Sequence, residues 1–222
     1  MTITDTTADF PAPQKTPTVY NRIISCRSQN ANNNSKKDPA NLAYLVIHKT
    51  SLALRDPEAN PFPIPNELLD GPSLAGRFTN PKLGTGGLIP YEILVRGNEA
   101  AAAEQLLPLY IRGAHAIGYS WRSIAIAVVC QDELTNPDIT PAQRDRLVKI
   151  CTALVPLGQG LKIVGHTDLP SASADPRKVC PGSKFALDML TKTVYQSLPD
   201  DWRAWSLAQR EEHASSAGFQ LL

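Results

Sequence analysis

Residues 161–182 read Leu-Lys-Ile-Val-Gly-His-Thr-Asp-Leu-Pro-Ser-Ala-Ser-Ala-Asp-Pro-Arg-Lys-Val-Cys-Pro-Gly. A β-branched pair, Ile163-Val164, ends at Gly165-His166. A polar, proline-containing loop follows and returns at Lys178-Val179-Cys180-Pro181-Gly182. One loop therefore carries an imidazole at one end and a thiol at the other. Zinc, a borderline-soft ion, takes both donors readily. Lys178 stands two residues before the thiol. A cation there would lower the thiol pKa and could face whatever the ion binds. Two donors do not make a site. His166 also reads as a strand-end histidine with its ring hydrogen-bonded, and Cys180 as a small buried apolar side chain. A third ligand decides between the readings.

Three more residues could do chemistry. The apolar run Leu42-Ala-Tyr-Leu-Val-Ile predicts a buried central strand, with His48 where it meets a loop. Active sites of sheet-based folds often collect at such strand ends. Tyr91 leads Glu-Ile-Leu-Val-Arg96, a second predicted strand, and by itself is an ordinary sheet tyrosine. His115 lies in the small, polar stretch Gly113-Ala-His-Ala-Ile-Gly118-Tyr-Ser. It could contact ligand, or it could be satisfied by backbone.

These residues need elements to hold them. Val19 to Cys26 reads as a first strand. Residues 27–41, with Asn32-Asn-Asn34 and Lys36-Lys37, read as a surface loop. Residues 51–89 are rich in glycine and proline, with a short helical patch near Asn66–Phe78. Their Gly84-Thr-Gly-Gly87 cluster lacks the preceding strand and following Lys-Ser/Thr of a phosphate loop. The Ala-rich Glu99–Leu109 reads as helix, and Ser123–Cys130 as another buried strand. Thr140-Pro141 has the residues of a helix start. Leu147, Ile150, Cys151, Leu154 and Val155 form the apolar stripe that follows, up to Gly158 and Gly160. Pro181 is expected to open a helix with Phe185, Leu187, Leu190 and Val194 on its apolar face. Residues 199–216 read as a terminal amphipathic helix docked through Trp202 and Trp205, with His213 solvated.

The chain has 222 residues, enough to bury a core without staples. With 22 basic and 21 acidic residues its net charge is +1, which argues against nonspecific nucleic-acid or anionic-membrane binding. No run reaches the roughly 18 apolar residues of a membrane span. The N-terminus, Met1-Thr-Ile-Thr-Asp-Thr-Thr, has neither a basic head nor an apolar run, so it does not read as a signal peptide. Cytoplasmic synthesis is expected, with any cell-wall or periplasmic work following release or delivery. The four cysteines, Cys26, Cys130, Cys151 and Cys180, do not read as a disulfide framework. Cys130 and Cys151 lie in apolar runs and read as core thiols.

Taken together, the strand ending in His48, the strand led by Tyr91, the Gly-Ala-His115-Ala-x-Gly-Tyr-Ser stretch before Ser123-Ile-Ala-Ile, and the Gly-His166…Lys178-x-Cys180-Pro loop resemble the zinc-dependent N-acetylmuramoyl-L-alanine amidases of phage lysozyme type. These are related in fold to the peptidoglycan recognition proteins. The resemblance spans about residues 42–194, and Lys-x-Cys-Pro in register with the two histidines is its most specific part. It implies an α/β (α+β) fold, a central mixed β-sheet with flanking helices. The expected organisation is a single amidase domain over 18–196, preceded by a flexible arm over 1–17, read from its polar composition and three prolines, and followed by a C-terminal helical extension over 197–222.

The resemblance also implies the site. His48, His166 and Cys180 would hold one zinc ion, leaving a fourth position for water, as catalytic zinc requires. Tyr91 and Lys178 would be catalytic, and His115 would contact substrate. The implied reaction is hydrolysis of the amide between the lactyl group of N-acetylmuramic acid and the L-alanine of the stem peptide. The implied use is endolysin-like, by a monomer on peptidoglycan or a muropeptide. A cytosolic muropeptide-recycling amidase is another use of the same chemistry. Recognition-protein relatives lose the thiol ligand and bind peptidoglycan without cutting it, and Cys180 argues against that class. A structural zinc site with four protein ligands is a third reading, but Cys26, Cys130 and Cys151 lack the local spacing for it. The sequence also departs from the family. Lys49 follows His48 where a small or hydroxyl residue is usual, Glu92 follows Tyr91 where histidine is common, and Ser120 stands where asparagine is frequent. Ala127 occupies the place of a strand glutamate that one branch uses as base.

Overall fold

The computed structural model describes residues 20–21, 36–50, 91–95, 103–113, 115–116, 118–129, 139–170, 180–182 and 185–222. Among the described residues, six strands form one sheet: β1 (Tyr20–Asn21), β2 (Tyr44–Thr50), β3 (Ile93–Val95), β4 (Ala103–Gln105), β5 (Ser123–Val129) and β6 (Lys162–Gly165). Their order across the sheet is β1-β4-β3-β5-β2-β6. Every pairing is parallel except β3 with β4. The helices among the described residues are α1 (Pro141–Leu154), α2 (Leu187–Ser197) and α3 (Leu207–Ser216). This is the mixed sheet with flanking helices that the sequence led us to expect.

β2 lies between β5 and β6, which explains its unbroken apolar run: strands covered on both faces have no reason to alternate. Side chains nevertheless divide between the faces with the period of two that a strand imposes. Leu45 and Ile47 of β2, Ile93 and Val95 of β3, and Ile124, Ile126 and Val128 of β5 join one core with Leu147, Ile150 and Leu154 of α1 and Leu190 and Val194 of α2. Val46 lies on the opposite face, in a smaller cluster with Ala116 and Leu169. His48, two residues further on, shares that second face.

α1 starts at the expected residues. Thr140 Oγ1 accepts from the Gln143 N–H at 3.1 Å, and Gln143 Oε1 accepts from the Thr140 N–H at 3.0 Å. Each otherwise orphaned donor is satisfied by the other residue. All five stripe residues, Leu147, Ile150, Cys151, Leu154 and Val155, are buried. The C-terminal residues are sewn onto the same body. Trp202, Ala214 and Phe219 belong to the main core, and Trp205 packs against it. The Leu109 and Tyr110 N–H groups donate to the carbonyls of Gln220 and Leu221 at 3.0 and 2.9 Å. Gln105 and Gln220 exchange two further bonds, at 2.7 and 2.8 Å.

The structure corrects five sequence expectations. The terminal helix predicted over 199–216 begins only at Leu207, and Trp202–Ala204 form a separate single turn before it. Within Glu99–Leu109, the segment Ala103–Gln105 is a strand, not a helix, held antiparallel to β3. Pairing with a buried neighbour overrides the helix preference of alanine and glutamate. Lys37 is not on a surface loop. It is 3% exposed, and its ammonium bonds to Glu92 and to the Leu109 carbonyl. Pro181 does not open a helix: α2 begins at Leu187, and Pro181 is buried beside Gly165. His213 is half-buried rather than solvated, with its ring 5.0 Å from that of Trp205. The arm over 1–17, the patch at Asn66–Phe78, the Gly84–Gly87 cluster, Cys26, Cys130 and Lys178 lie outside the described residues. Among the described residues, no helix is long and apolar enough to cross a membrane.

Candidate active site

Two adjacent parallel strands deliver the first two donors. β2 and β6 run side by side, with Ile47 opposite Gly165. The next residue on each chain is a histidine, so His48 and His166 leave the sheet together. Their ring centroids are 4.6 Å apart. The third donor arrives on the return of the loop. Cys180 Sγ lies 3.8 Å from His48 Nδ1 and accepts the Lys49 N–H at 3.4 Å. One donor atom from each of His48, His166 and Cys180 lies within 4.8 Å of the others.

The turn after β6 grips the segment that carries the thiol. The Thr167 N–H and Oγ1–H both donate to the Cys180 carbonyl, each at 3.0 Å. Asp168 folds back so that its Oδ2 accepts the Gly165 N–H at 2.7 Å. Gly165 is needed here for space. A Cβ at this position would lie 2.8 Å from Pro181 Cδ, 3.0 Å from Asp168 Oδ2 and 3.1 Å from the Cys180 carbonyl oxygen. Gly-His-Thr-Asp is thus a clamp as well as a ligand carrier. The histidine stands out in the sequence and the clamp does not, its only signal being a small residue, a hydroxyl and a carboxylate around a turn.

Tyr91 lies two residues before the start of β3, and its ring centroid is 5.1 Å from that of His48. His115 is buried and stands at right angles to the His48 ring, with ring centroids 5.2 Å apart. Its Nδ1 is 3.2 Å from His48 Nε2 and its Nε2 is 3.1 Å from Ser123 Oγ. In the sequence Ser123 is no more than the start of a predicted strand; the ring of His115 gives it a second role. Ala127 pairs in register with His48 and is fully buried. Its methyl group offers no base at that point of β5. Lys49 contributes its main-chain N–H to the thiol, a role open to any residue but proline.

Burial sets the protonation of the donors. Burial lowers the pKa of His48, His115 and His166; His166 lowers it further for His48, and His48, Lys37 and His166 do so for His115. Neutral imidazoles present lone pairs. Burial raises the Cys180 thiol, while the Lys49 N–H and charge pull it back. Burial, and then the neighbouring Cys180, hold the Tyr91 phenol above its ordinary range. Two imidazole nitrogens and one sulfur, converging from three segments, fit the donor preferences of zinc. Among the described residues no carboxylate joins them, and a set of nitrogen and sulfur donors does not suit calcium or magnesium.

An N-acetylmuramoyl-L-alanine amidase, LysC, from Clostridium intestinale superposes with a TM-score of 0.50 at 18% identity, covering 71% of this chain and 87% of that one. The Ph2119 endolysin from a Thermus scotoductus bacteriophage gives 0.45 at 19% identity, over 69% and 84% of the two chains. The Drosophila peptidoglycan recognition protein SA gives 0.48 at 17%, over 74% and 86%. No curated protein matches the sequence significantly. The family model described as N-acetylmuramoyl-L-alanine amidase matches residues 37–183, a span that holds β2 to β6 and every donor described above. The chain therefore belongs to the N-acetylmuramoyl-L-alanine amidase family.

Proposed function

We propose that this chain is a zinc-dependent peptidoglycan amidase that cuts between N-acetylmuramic acid and L-alanine, used in endolysin fashion on the cell wall. The observation that carries the reading is the convergence of His48, His166 and Cys180 within 4.8 Å. These three residues would hold the ion. Bound zinc would supply Lewis acidity and a water of lowered pKa. Hydrolysis forms a carbonyl carbon–oxygen bond and breaks the carbon–nitrogen bond to L-alanine. The departing nitrogen needs a proton. Tyr91 keeps its proton at neutral pH, because burial and Cys180 oppose its ionisation, and it stands beside His48 to give it. Lys178, two residues before the thiol, would face the carbonyl oxygen as it becomes negative. Residues 18–196 would form the catalytic domain.

A module that binds peptidoglycan without cutting is the competing reading, and the complete set of two imidazoles and a thiol weighs against it. Purified protein, with and without added zinc, should be incubated with sacculi and the products identified by mass spectrometry. Zinc-dependent release of stem peptides bearing a free L-alanine amine, from glycan left uncut, is expected. Binding of sacculi without release, by folded and zinc-loaded protein, would establish the module reading instead.

A further inference from the structure

The hydrogen bonds around His48 form a chain whose direction can be worked out atom by atom. It starts at the Tyr119 carbonyl, which can only accept. Ser123 Oγ lies 2.7 Å from that carbonyl and has one hydrogen, which it must donate there. Ser123 Oγ is then left as an acceptor toward His115 Nε2 at 3.1 Å, so that nitrogen carries hydrogen. In a neutral imidazole the other nitrogen is bare. His115 Nδ1 therefore accepts, and His48 Nε2, 3.2 Å away, must donate to it. That leaves His48 Nδ1 as the bare nitrogen, and Nδ1 is the atom 3.8 Å from Cys180 Sγ.

We propose that His115 and Ser123 act together as positioning residues that hold His48 in the Nε2–H tautomer, its Nδ1 lone pair turned toward the thiol of Cys180. Both ring nitrogens of His115 are occupied in this work, so it serves the site through His48 rather than by touching substrate. The inference rests on the zinc reading for its use, but the tautomer can be measured without metal. The start of the chain is itself held. The Arg122 N–H also donates to the Tyr119 carbonyl at 2.8 Å. Ser120 Oγ donates to the Ala116 carbonyl at 2.8 Å and accepts the Ala116 N–H at 3.1 Å, closing the turn on itself. Gly118, at φ +77°, supplies the left-handed residue that this turn requires.

The test has two arms. Nitrogen-15 NMR of the metal-free protein reads the tautomer of each histidine. The expected result is hydrogen on Nε2 of both His48 and His115 in the wild type, with a mixture at His48 in Ser123→Ala and in His115→Ala. Zinc affinity, by competition with a chelator, should fall about 10–100-fold in His115→Ala, as when the partner of a metal-bound histidine is removed. His115→Asn, whose amide oxygen can accept from His48 Nε2, should recover most of the loss. Circular dichroism controls for folding, and Ser123→Ala serves should His115→Ala fail to fold. Hydrogen on Nδ1 of wild-type His48, or unchanged zinc affinity in folded His115→Ala, overturns the proposal. A wild-type protein that shows the expected tautomers yet binds no zinc would defeat the metal reading and leave the tautomer assignment standing.

Discussion

Lys37 and Glu92 form an ion pair in which neither side chain has any solvent exposure. The pair is tied into the site from both sides. Glu92 directly follows Tyr91. Its Oε1 also accepts the Gly113 N–H at 2.9 Å, and its Oε2 accepts the Ala125 N–H at 2.7 Å. Gly113 and Ala125 bracket the segment that holds His115 and Ser123. Lys37 also donates to the Leu109 carbonyl at 3.1 Å. One carboxylate thus fixes Tyr91, the His115 turn and β5 relative to one another.

Removing the lysine alone should be costly. Lys37→Met leaves a buried carboxylate without its counter-charge, and losses from breaking such pairs run to about 3–5 kcal/mol. Replacing both partners with apolar residues is often neutral in proteins. Here it should not be, because Lys37→Met with Glu92→Leu also orphans the Gly113 and Ala125 N–H groups, at about 1–3 kcal/mol each. Urea unfolding of the two variants checks this. A double variant as stable as wild type would mean that those two bonds contribute nothing.

Gly165→Ala should damage the site without touching a donor. Its new methyl group would sit 2.8 Å from Pro181 Cδ, closer than a Cβ tolerates, and a tight 3.1 Å from the Cys180 carbonyl oxygen. Pro181 is a ring on the backbone and cannot swing aside as a flexible side chain would. The Cys180-Pro181 segment must therefore move, taking the thiol with it. Overpacking of this kind costs about 1–3 kcal/mol. Thermal unfolding should report that loss, and chelator competition a weaker hold on zinc. Unchanged affinity would show that the thiol tolerates a displaced carbonyl.

Much of this was legible in the sequence, and the failures share a cause. Leu42–His48 and Ser123–Val129 announced themselves because buried parallel strands are continuously apolar. Thr140 to Gln143 announced α1 because a capping box is made of neighbouring residues. Lys37 misled because its partner lies 55 residues away, and in a stretch of asparagines and lysines a lysine looks solvated. Ala103–Gln105 misled because its strand state depends on β3, not on its own composition. Ser123 and Thr167 were overlooked for the same reason, since a hydroxyl acquires a role only when a distant ring or carbonyl is brought to it.

Zinc content should follow three residues and ignore a fourth. His48→Ala, His166→Ala and Cys180→Ser each remove a donor from the cluster and should lose the single ion. Cys151→Ala should keep it. Cys151 is fully buried among Leu147, Ile150 and Leu154, in the core beneath the helices, whereas His48 is on the other face of the sheet. Metal analysis of dialysed protein gives the stoichiometry. Loss of zinc in Cys151→Ala would require a different arrangement, with a fourth protein ligand.

Cys151 makes its own prediction at high pH. Burial alone pushes its thiol from 9.0 to about 12. The folded chain therefore holds this proton in a range where the unfolded chain has lost it. Fewer protons on the unfolded state mean that stability falls as pH rises. The contribution of the neutral thiol is complete below pH 9 and disappears between there and about 12. The slope is about 1.4 kcal/mol for each pH unit. Cys151→Ala should be less stable than wild type at neutral pH, because it leaves a small void. From pH 9.5 to 10.5 it should lose stability more slowly, by one proton's worth. Tyr110, raised by burial and by its bond to Glu211, steepens both curves alike and cancels in the difference. Urea unfolding at several pH values measures the two slopes. Parallel slopes would mean that the Cys151 thiol ionises as easily inside the fold as outside it.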